Sequence, residues 1–355
     1  MPFGHDRGAV TDAELAAGVA LPIQAYPLLE NALRAARGWS VEEHRAAIGR
    51  LWSGFSEVAA ANPYAWLPRA MTPEQIMGTG PANRMIAFPY PKLCTANLGV
   101  DQAAAYLCCS VAAARSAGVP EDRWVFPLSG ADAEDHWYLS ERPQLHRSPA
   151  IRLAGGQALA LAGVGVDEVD RVDLYSCFPV VVQMAAAELG LAVDDPGRPL
   201  TVTGGLTFGG GPGNNYTAHG IATMVQLLRR QPGAVGLVTG LGWYATKHAV
   251  GLYASRPPVH GGRDGFRWAT PQAEVNALPR CPVDDRATGP VTVETYTVTY
   301  DRHGRPDQGI VACRTAAGAR TWAVVTDTDE LASLVAAEAV GRTGVVGDDR
   351  RLVLR

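Results

Sequence analysis

Between residues 101 and 255 short apolar stretches alternate with longer amphipathic ones, and that alternation leaves few folds open to the chain. A strand followed by a helix that packs back onto it is the βαβ unit, so this region is expected to build a buried sheet flanked by helices. The predicted strands are 104–110, 123–129, 172–176, 200–203, 235–239 and around 250–254. The predicted helices between them are 111–117, 149–162, 179–189 and 216–229.

Upstream the pattern is helical and strand-poor over residues 20–90. Helices are expected at 26–37 and 40–61, the second opening with Ser40 and Glu43 spaced as a capping box. Its apolar face is Ile48, Leu51, Trp52, Phe55 and Val58, whose spacing marks Trp52 and Phe55 as packing residues. Thr72, Pro73 and Gln75 read as the start of a short third helix. Downstream, 261–280 reads as a linker, and 291–300, 309–314 and 320–326 as an antiparallel meander with a turn at 302–304. One helix is expected near 329–340. Three units follow: a helical segment (1–98), an α/β domain (99–275) and a small β-rich domain (281–355).

Composition removes several function classes. With 355 residues, 47% hydrophobic and 19% charged, the chain has apolar material for a large core. A net charge of -4 gives no general basic surface, so neither nucleic acid nor anionic membrane is an expected partner. No signal-peptide pattern and no spanning apolar run is present, and a cytoplasmic protein is expected. Cys94, Cys108, Cys109, Cys177, Cys281 and Cys313 are scattered without a CxxC pair, so reduced, mostly buried thiols are expected and no metal site.

In an open α/β sheet ligands collect beyond the carboxyl ends of strands, which directs attention to the loops there. The first, 130–137, carries Asp132, Glu134, Asp135 and His136, either an acid–base group or a solvated acidic turn. In the second, Tyr175 and Cys177 precede a helix, whose N-terminal N–H groups favour a thiolate unless the cysteine is simply core. The third, 203–213, is glycine-rich and runs through Gly211 and Gly213 to Asn214, Asn215 and Tyr216, with His219 in the helix that follows. Glycines admit close backbone approach, and asparagine at a helix start caps the helix or donates to an oxyanion. Neither a phosphate-loop Gly-Lys-Ser/Thr nor a GxGxxG spacing is present. The fourth, 240–248, holds Tyr244, Lys247 and His248; the tyrosine or the lysine is a proton donor if desolvated, and the lysine is otherwise a surface cation.

Three stretches together resemble a known superfamily. NLGVDQAAAYLCCSVAAARSAG (97–118) is similar to the thiolase segment Asn-x-x-x-Asp-Gly-Ala-Ala with its strand and helix. DLYSCFPVVVQMAAAELGL (173–191) resembles sterol-carrier-type thiolases, which have His-Asp-Cys-Phe before a helix. PLTVTGGLTFGGGPGNN (199–215) resembles the loop Gly-Gly-x-x-x-x-Gly-His-Pro-x-Gly. The similarity covers about residues 22–275, and the chain most resembles actinobacterial thiolase-like proteins of acetyl-CoA acetyltransferase type with an added C-terminal β-domain.

The resemblance implies an α/β thiolase-like fold, comprising the C-terminal half and the helical loop domain, with the small β-domain appended. It implies coenzyme A thioester chemistry in lipid or sterol metabolism, with no covalently bound cofactor. Residues 281–355 fit the added domain, while the N-terminal half of the fold, and with it the acylated cysteine, has no counterpart in the sequence. Gly211 stands where thiolases carry the activating histidine, and Tyr175 where they carry histidine or asparagine. The expected catalytic set is therefore Tyr175, Cys177, His219, Tyr244 and His248, with Asn214, Asn215, Gly211, Gly213 and His136 binding substrate. Acyl transfer or a retro-aldol C–C cleavage using tyrosines is implied; the alternatives are a non-catalytic acyl-CoA-binding or scaffold subunit and a truncated fragment. The implied partners are acyl-CoA and either further copies of the chain or a subunit supplying a thiolase-type N-terminal half.

Overall fold

Proline and capping boxes set the first helices. The computed structural model describes residues 7–258 and 265–355. Helix α1 (Asp12–Ala16) is short, α2 (Pro22–Arg37) starts on its own proline and ends at left-handed Gly38, and α3 (Val41–Ala61) closes the box foreseen for it. The Glu43 N–H donates to Ser40 Oγ at 3.1 Å and the Ser40 N–H to Glu43 Oε2 at 2.8 Å, satisfying two donors that a helix start leaves over. Helix α4 (Pro73–Met77) repeats the device with Thr72 and Gln75. Strands β1 (Met85–Ala87) and β2 (Tyr90–Pro91) follow in the region expected to be strand-poor.

The predicted strand 104–110 does not form. Residues 105–113 are all exposed, and helix α5 (Val111–Ser116) continues the same surface arm. Apolar content alone makes no strand; a partner edge is also needed.

The α/β domain then builds as β3 (Phe126–Glu134), α6 (Pro149–Ala162), β4 (Arg171–Asp173), α7 (Pro179–Leu189), α8 (Tyr216–Arg230), β5 (Val235–Gly242), β6 (Lys247–Ala254) and β7 (Arg267–Ala269). The sheet order is β4-β5-β6-β3-β7, with β4 parallel to β5, β5 and β6 a hairpin, β3 antiparallel to β6 and β7 parallel to β3. Helix α6 packs on one face, against β3 and β6, with α7 beyond it; α8 covers the β5 end of the other face. Because β3 runs to Glu134, Asp132 and Glu134 lie on a strand and not in an acidic turn. Residues 200–203 join no ladder, although Leu200 O accepts from Leu174 N at 2.9 Å.

The stretch read as a linker contains β7 and α9 (Gln272–Asn276) in its described part; residues 261–264 lie outside the described residues. Beyond it come β8 (Gly289–Tyr300), β9 (Pro306–Thr315), β10 (Arg320–Val325), α10 (Thr328–Ala336), β11 (Thr343–Val346) and β12 (Leu352–Leu354). These form a seven-stranded sheet that also takes in β1 and β2, Ala87 pairing with Thr299. Side chains tie this sheet to α2: Asn31 Nδ2 donates to Tyr296 O at 2.7 Å, and buried Arg34 donates to Glu338 and to the Tyr296 hydroxyl, each at 2.8 Å. Among the described residues, no helix is long and apolar enough to cross a membrane.

Candidate functional site

The parallel strands β4 and β5 end on the same side of the sheet, and the glycine-rich loop lies against that end. Its path requires glycine at two successive positions. Gly204 (φ +95°) would place a Cβ 2.6 Å from the Ala59 Cα of α3, and Gly205 (φ +73°) would place one 2.6 Å from Phe55 Cδ1 and Ser176 Oγ. Residues 205–209 make one π-helical turn, and Phe208 O and Gly209 O accept from Leu67 and Trp66 N–H at 2.8 and 3.0 Å. The Gly211 N–H donates to Asn97 O at 2.9 Å and the Gly213 N–H to Gly211 O at 2.7 Å, so these two amides of the packed loop already have acceptors.

Behind this wall sits Asp173, the last residue of β4 and fully buried. Its Oδ1 accepts from the Val202 N–H (2.9 Å), Thr201 Oγ1 (3.0 Å) and the Tyr216 hydroxyl (3.3 Å), while Oδ2 has no partner among the described residues. A Cβ on Gly220 would stand 2.5 Å from that Oδ2, so only glycine leaves the carboxyl its room. Burial raises the Asp173 pKa to about 6 despite these donors. Tyr216 in turn meets Thr203 Oγ1 at 2.7 Å, and its ring takes the Tyr175 ring edge-on at 5.4 Å.

Thr203, Gly210, Tyr216 and His219 converge on a cavity of about 350 Å³, closed on its far side by Asn62, Tyr64 and Gln102–Ala105 of the surface arm. The lining residues carry no charged side chain. Gln102 is fixed there, donating to Tyr64 O and Gly209 O at 2.9 Å each. Burial lowers the His219 pKa, which keeps its ring neutral near pH 7, and Nε2 lies 3.4 Å from Asn215 Nδ2.

Of the residues singled out in the sequence, this places His219, Asn215, Gly211 and Gly213 at or beside the cavity, with Tyr175 packed behind Tyr216. Asn214 is exposed on the loop. Cys177 is buried, and because Phe178 is the N-cap and Pro179 the first residue of α7, the thiol stands outside the helix's first turn. Burial pushes it up to about 12, the opposite of the thiolate that a helix N-terminus would favour. Tyr244 turns away, donating to Ala20 O at 2.8 Å and meeting Tyr26 edge-on. His136 is buried with Nε2 3.0 Å from Pro279 O. His248 lies 3.3 Å from Asp135 Oδ2, whose neighbour Ser148 Oγ donates to the same oxygen at 2.5 Å. Serine, histidine and aspartate meet there, with Ser148 Oγ also 3.4 Å from His248 Nε2, but all three are buried and the serine caps α6, an arrangement that holds a helix.

Three further residues, Asp173, Gln102 and Asn62, shape the site. Asp173 left a signal, a charge inside the apolar run Val172–Leu174, whereas Gln102 and Asn62 are brought to the cavity only by tertiary folding. Asp173 also yields a pH prediction. Its folded pKa of about 6 lies above the ordinary carboxyl value of 3.8, so the native state holds the proton more tightly than the unfolded chain. The stability contribution of this group is therefore full below about pH 4 and is lost as pH rises to about 6. Asp173→Asn should flatten the fall in urea-unfolding free energy over that window; an unchanged slope would rule the assignment out.

Comparisons with known proteins bear on the fold and the family. The profile of the family described as "Thiolase C-terminal domain-like" matches residues 131–253, and that described as "Thiolase-like protein type 1 additional C-terminal domain" matches residues 271–351. A solved structure of a monomeric SCP2-thiolase like protein type 1 from Mycobacterium smegmatis is 37% identical with a TM-score of 0.87, covering 98% of this chain and 76% of that one. The Ltp2-ChsH2(DUF35) aldolase shares the fold at 22% identity and a TM-score of 0.55, over 71% of this chain and 69% of that one. An acetyl-CoA acetyltransferase of Methanothermobacter thermautotrophicus is 27% identical over 194 residues, 51% of this chain; the chain spans 48% of that protein's length.

Proposed function

The chain belongs to the thiolase superfamily, and from that premise we propose that it handles an acyl-CoA thioester in the cavity between the glycine-rich loop and α8. The observation that carries this reading is the convergence of Tyr216, His219 and Thr203 on one uncharged cavity, with Asp173 behind Tyr216. The thioester is substrate, and lipid or sterol metabolism is the setting that the family resemblance implies.

Acyl transfer through an acyl-enzyme needs an activated nucleophile. Among the described residues no cysteine lines the cavity, the Cys177 thiol is pushed up to about 12, and Gly211 offers no base. A retro-aldol cleavage needs only a base and a donor. The neutral His219 ring takes the proton of a β-hydroxyl, the Cα–Cβ bond breaks to leave a carbonyl, and its electron pair moves into the thioester as an enolate. The proton on the His219 ring then passes to Cα, while the Tyr216 hydroxyl, held by Thr203 and Asp173, donates a hydrogen bond to the enolate oxygen and keeps its own proton. Burial raises the Tyr216 pKa well above that of a free phenol, which suits a hydroxyl that donates and does not ionise.

Turnover of a β-hydroxyacyl-CoA should fall about 100-fold in Tyr216→Phe with little change in KM, the magnitude usual for loss of one oxyanion donor. Equal turnover would remove Tyr216 from the chemistry. Gly211 also favours a second reading, a binding subunit without catalysis; thioester binding with no cleavage by the wild-type chain would select it.

A further inference from the structure

A second cleft, of about 890 Å³, lies away from the glycine loop and shares no lining residue with the cavity there. It opens between α3, α4 and the C-terminal sheet, with apolar walls from Val41, Met77, Met85, Phe88 and Val335. Apolar walls around a few placed polar groups are what a small-molecule site offers, and the polar groups here are Arg45 and Tyr300. Arg45 is half-buried; its Nη1 donates to Pro89 O at 2.8 Å and its Nη2 to Met77 O at 2.9 Å. Both acceptors are neutral carbonyls, and among the described residues no carboxylate pairs with this guanidinium. Burial lowers the Arg45 pKa, as it does for a cation without a counter-charge. The Tyr300 hydroxyl, at the end of β8, makes no hydrogen bond among the described residues. Burial raises its pKa and the Arg45 charge opposes the rise, which sets the phenol near the guanidinium.

A partly buried cation is costly until an anion neutralises it, and a guanidinium with a hydroxyl near it offers the donors that a carboxylate accepts from. We infer that this cleft binds a free alkyl carboxylate, its head group on Arg45 and Tyr300 and its chain along Met77, Met85, Phe88 and Val335. Exposed Arg50 adds a cation to the lining, and exposed Glu42 and Glu74 add two anions. That balance suits a ligand with a single negative charge and opposes a phosphate dianion or the polyphosphate of a nucleotide. Tyr300, Val335 and Ala336 belong to the added C-terminal domain, and Arg45 and Met77 to the helical segment, so the two units build the cleft together. Carboxylate binding here does not depend on the acyl-CoA reading, because the two sites have no residue in common.

Calorimetric titration of the full chain with octanoate, decanoate and decan-1-ol tests this. Decanoate should bind saturably below millimolar concentration and about tenfold more tightly than octanoate, the gain expected from two more buried methylenes. Decan-1-ol, which has the chain without the charge, should bind about tenfold more weakly than decanoate. Tyr300→Phe should weaken decanoate about tenfold. Ala46→Glu adds a carboxylate to the α3 wall at an exposed position, so the fold is kept; it should weaken decanoate about tenfold and leave decan-1-ol unchanged. Ala222→Trp, which fills the cavity beside the glycine loop, should leave decanoate affinity as it is. No saturable decanoate binding, equal binding of decanoate and decan-1-ol, or equal decanoate binding in the wild type and Ala46→Glu would overturn the inference. Loss of decanoate binding in Ala222→Trp would overturn it too, by placing the acid in the other cavity.

Discussion

Replacing Gly204 with alanine should cost about 3 kcal/mol or more of unfolding free energy, among the largest effects of any single methyl in this chain. Two terms add. The left-handed backbone at φ +95° is strained for an L-residue by about 1–2 kcal/mol. The new Cβ would also lie 2.4 Å from Ala59 Cβ and 2.8 Å from the Ala59 N of α3, backbone that cannot give way without moving the helix. Gly233→Ala separates the terms, because φ there is +87° and nothing lies within 4 Å of the added Cβ. Urea unfolding should show about 1 kcal/mol for Gly233→Ala and at least twice that for Gly204→Ala. Equal losses would mean that the loop is not packed on α3 as described.

Arg320→Met should be destabilising by about 3 kcal/mol, the loss typical of removing one member of a buried pair. The Arg320 side chain is fully buried where the C-terminal sheet meets the α/β domain. Its Nη1 donates to Leu139 O (2.6 Å), Arg142 O (2.7 Å) and Ser140 O (3.0 Å), and its Nε and Nη2 hold Glu294 at 2.7 and 2.6 Å. Methionine fills the volume and removes the donor from the Ser140 and Arg142 carbonyls, while Leu139 O keeps the Arg142 N–H at 3.2 Å. Glu294 keeps Arg314 at 2.6 Å, so the double change Arg320→Met with Glu294→Gln should recover only part of the loss. Burial raises the Glu294 pKa and the two arginines more than offset it, so this pair's contribution disappears as pH falls through the lowered value. Thermal unfolding near neutral pH with no change in Arg320→Met would show that the two units are joined by other contacts.

Local signals were readable in the sequence wherever they sufficed. Ser40 with Glu43, Thr72 with Gln75, and Pro149 and Pro179 at first helical turns each set a helix start that the structure keeps. The β8–β9–β10 meander was legible because its alternation and turns are local. The arm was not. Its composition suits a strand, but strand formation depends on a partner edge that local sequence does not reveal. At the site, the glycine loop and His219 were both singled out in the sequence, and Gly209, Gly210 and His219 line one cavity. Tyr244 and His248 were misplaced for a physical reason: the β5–β6 turn bends toward α1 and α2, bringing Tyr244 to Ala20 O and Ala245 N to the Tyr26 hydroxyl. Cys177 misled because one residue decides whether a thiol lies within a helix's first turn, and Phe178 took the cap.

The central claim is that the cavity beside the glycine loop receives an acyl-CoA thioester, and calorimetric titration of a short-chain acyl-CoA tests it most directly. Ala222 lines that cavity from α8 without belonging to the buried core, so Ala222→Trp fills the space and leaves the fold intact. The account predicts saturable binding to the wild-type chain and at least a tenfold loss in Ala222→Trp. Binding of equal strength in both, or none in the wild type at millimolar thioester, would contradict it.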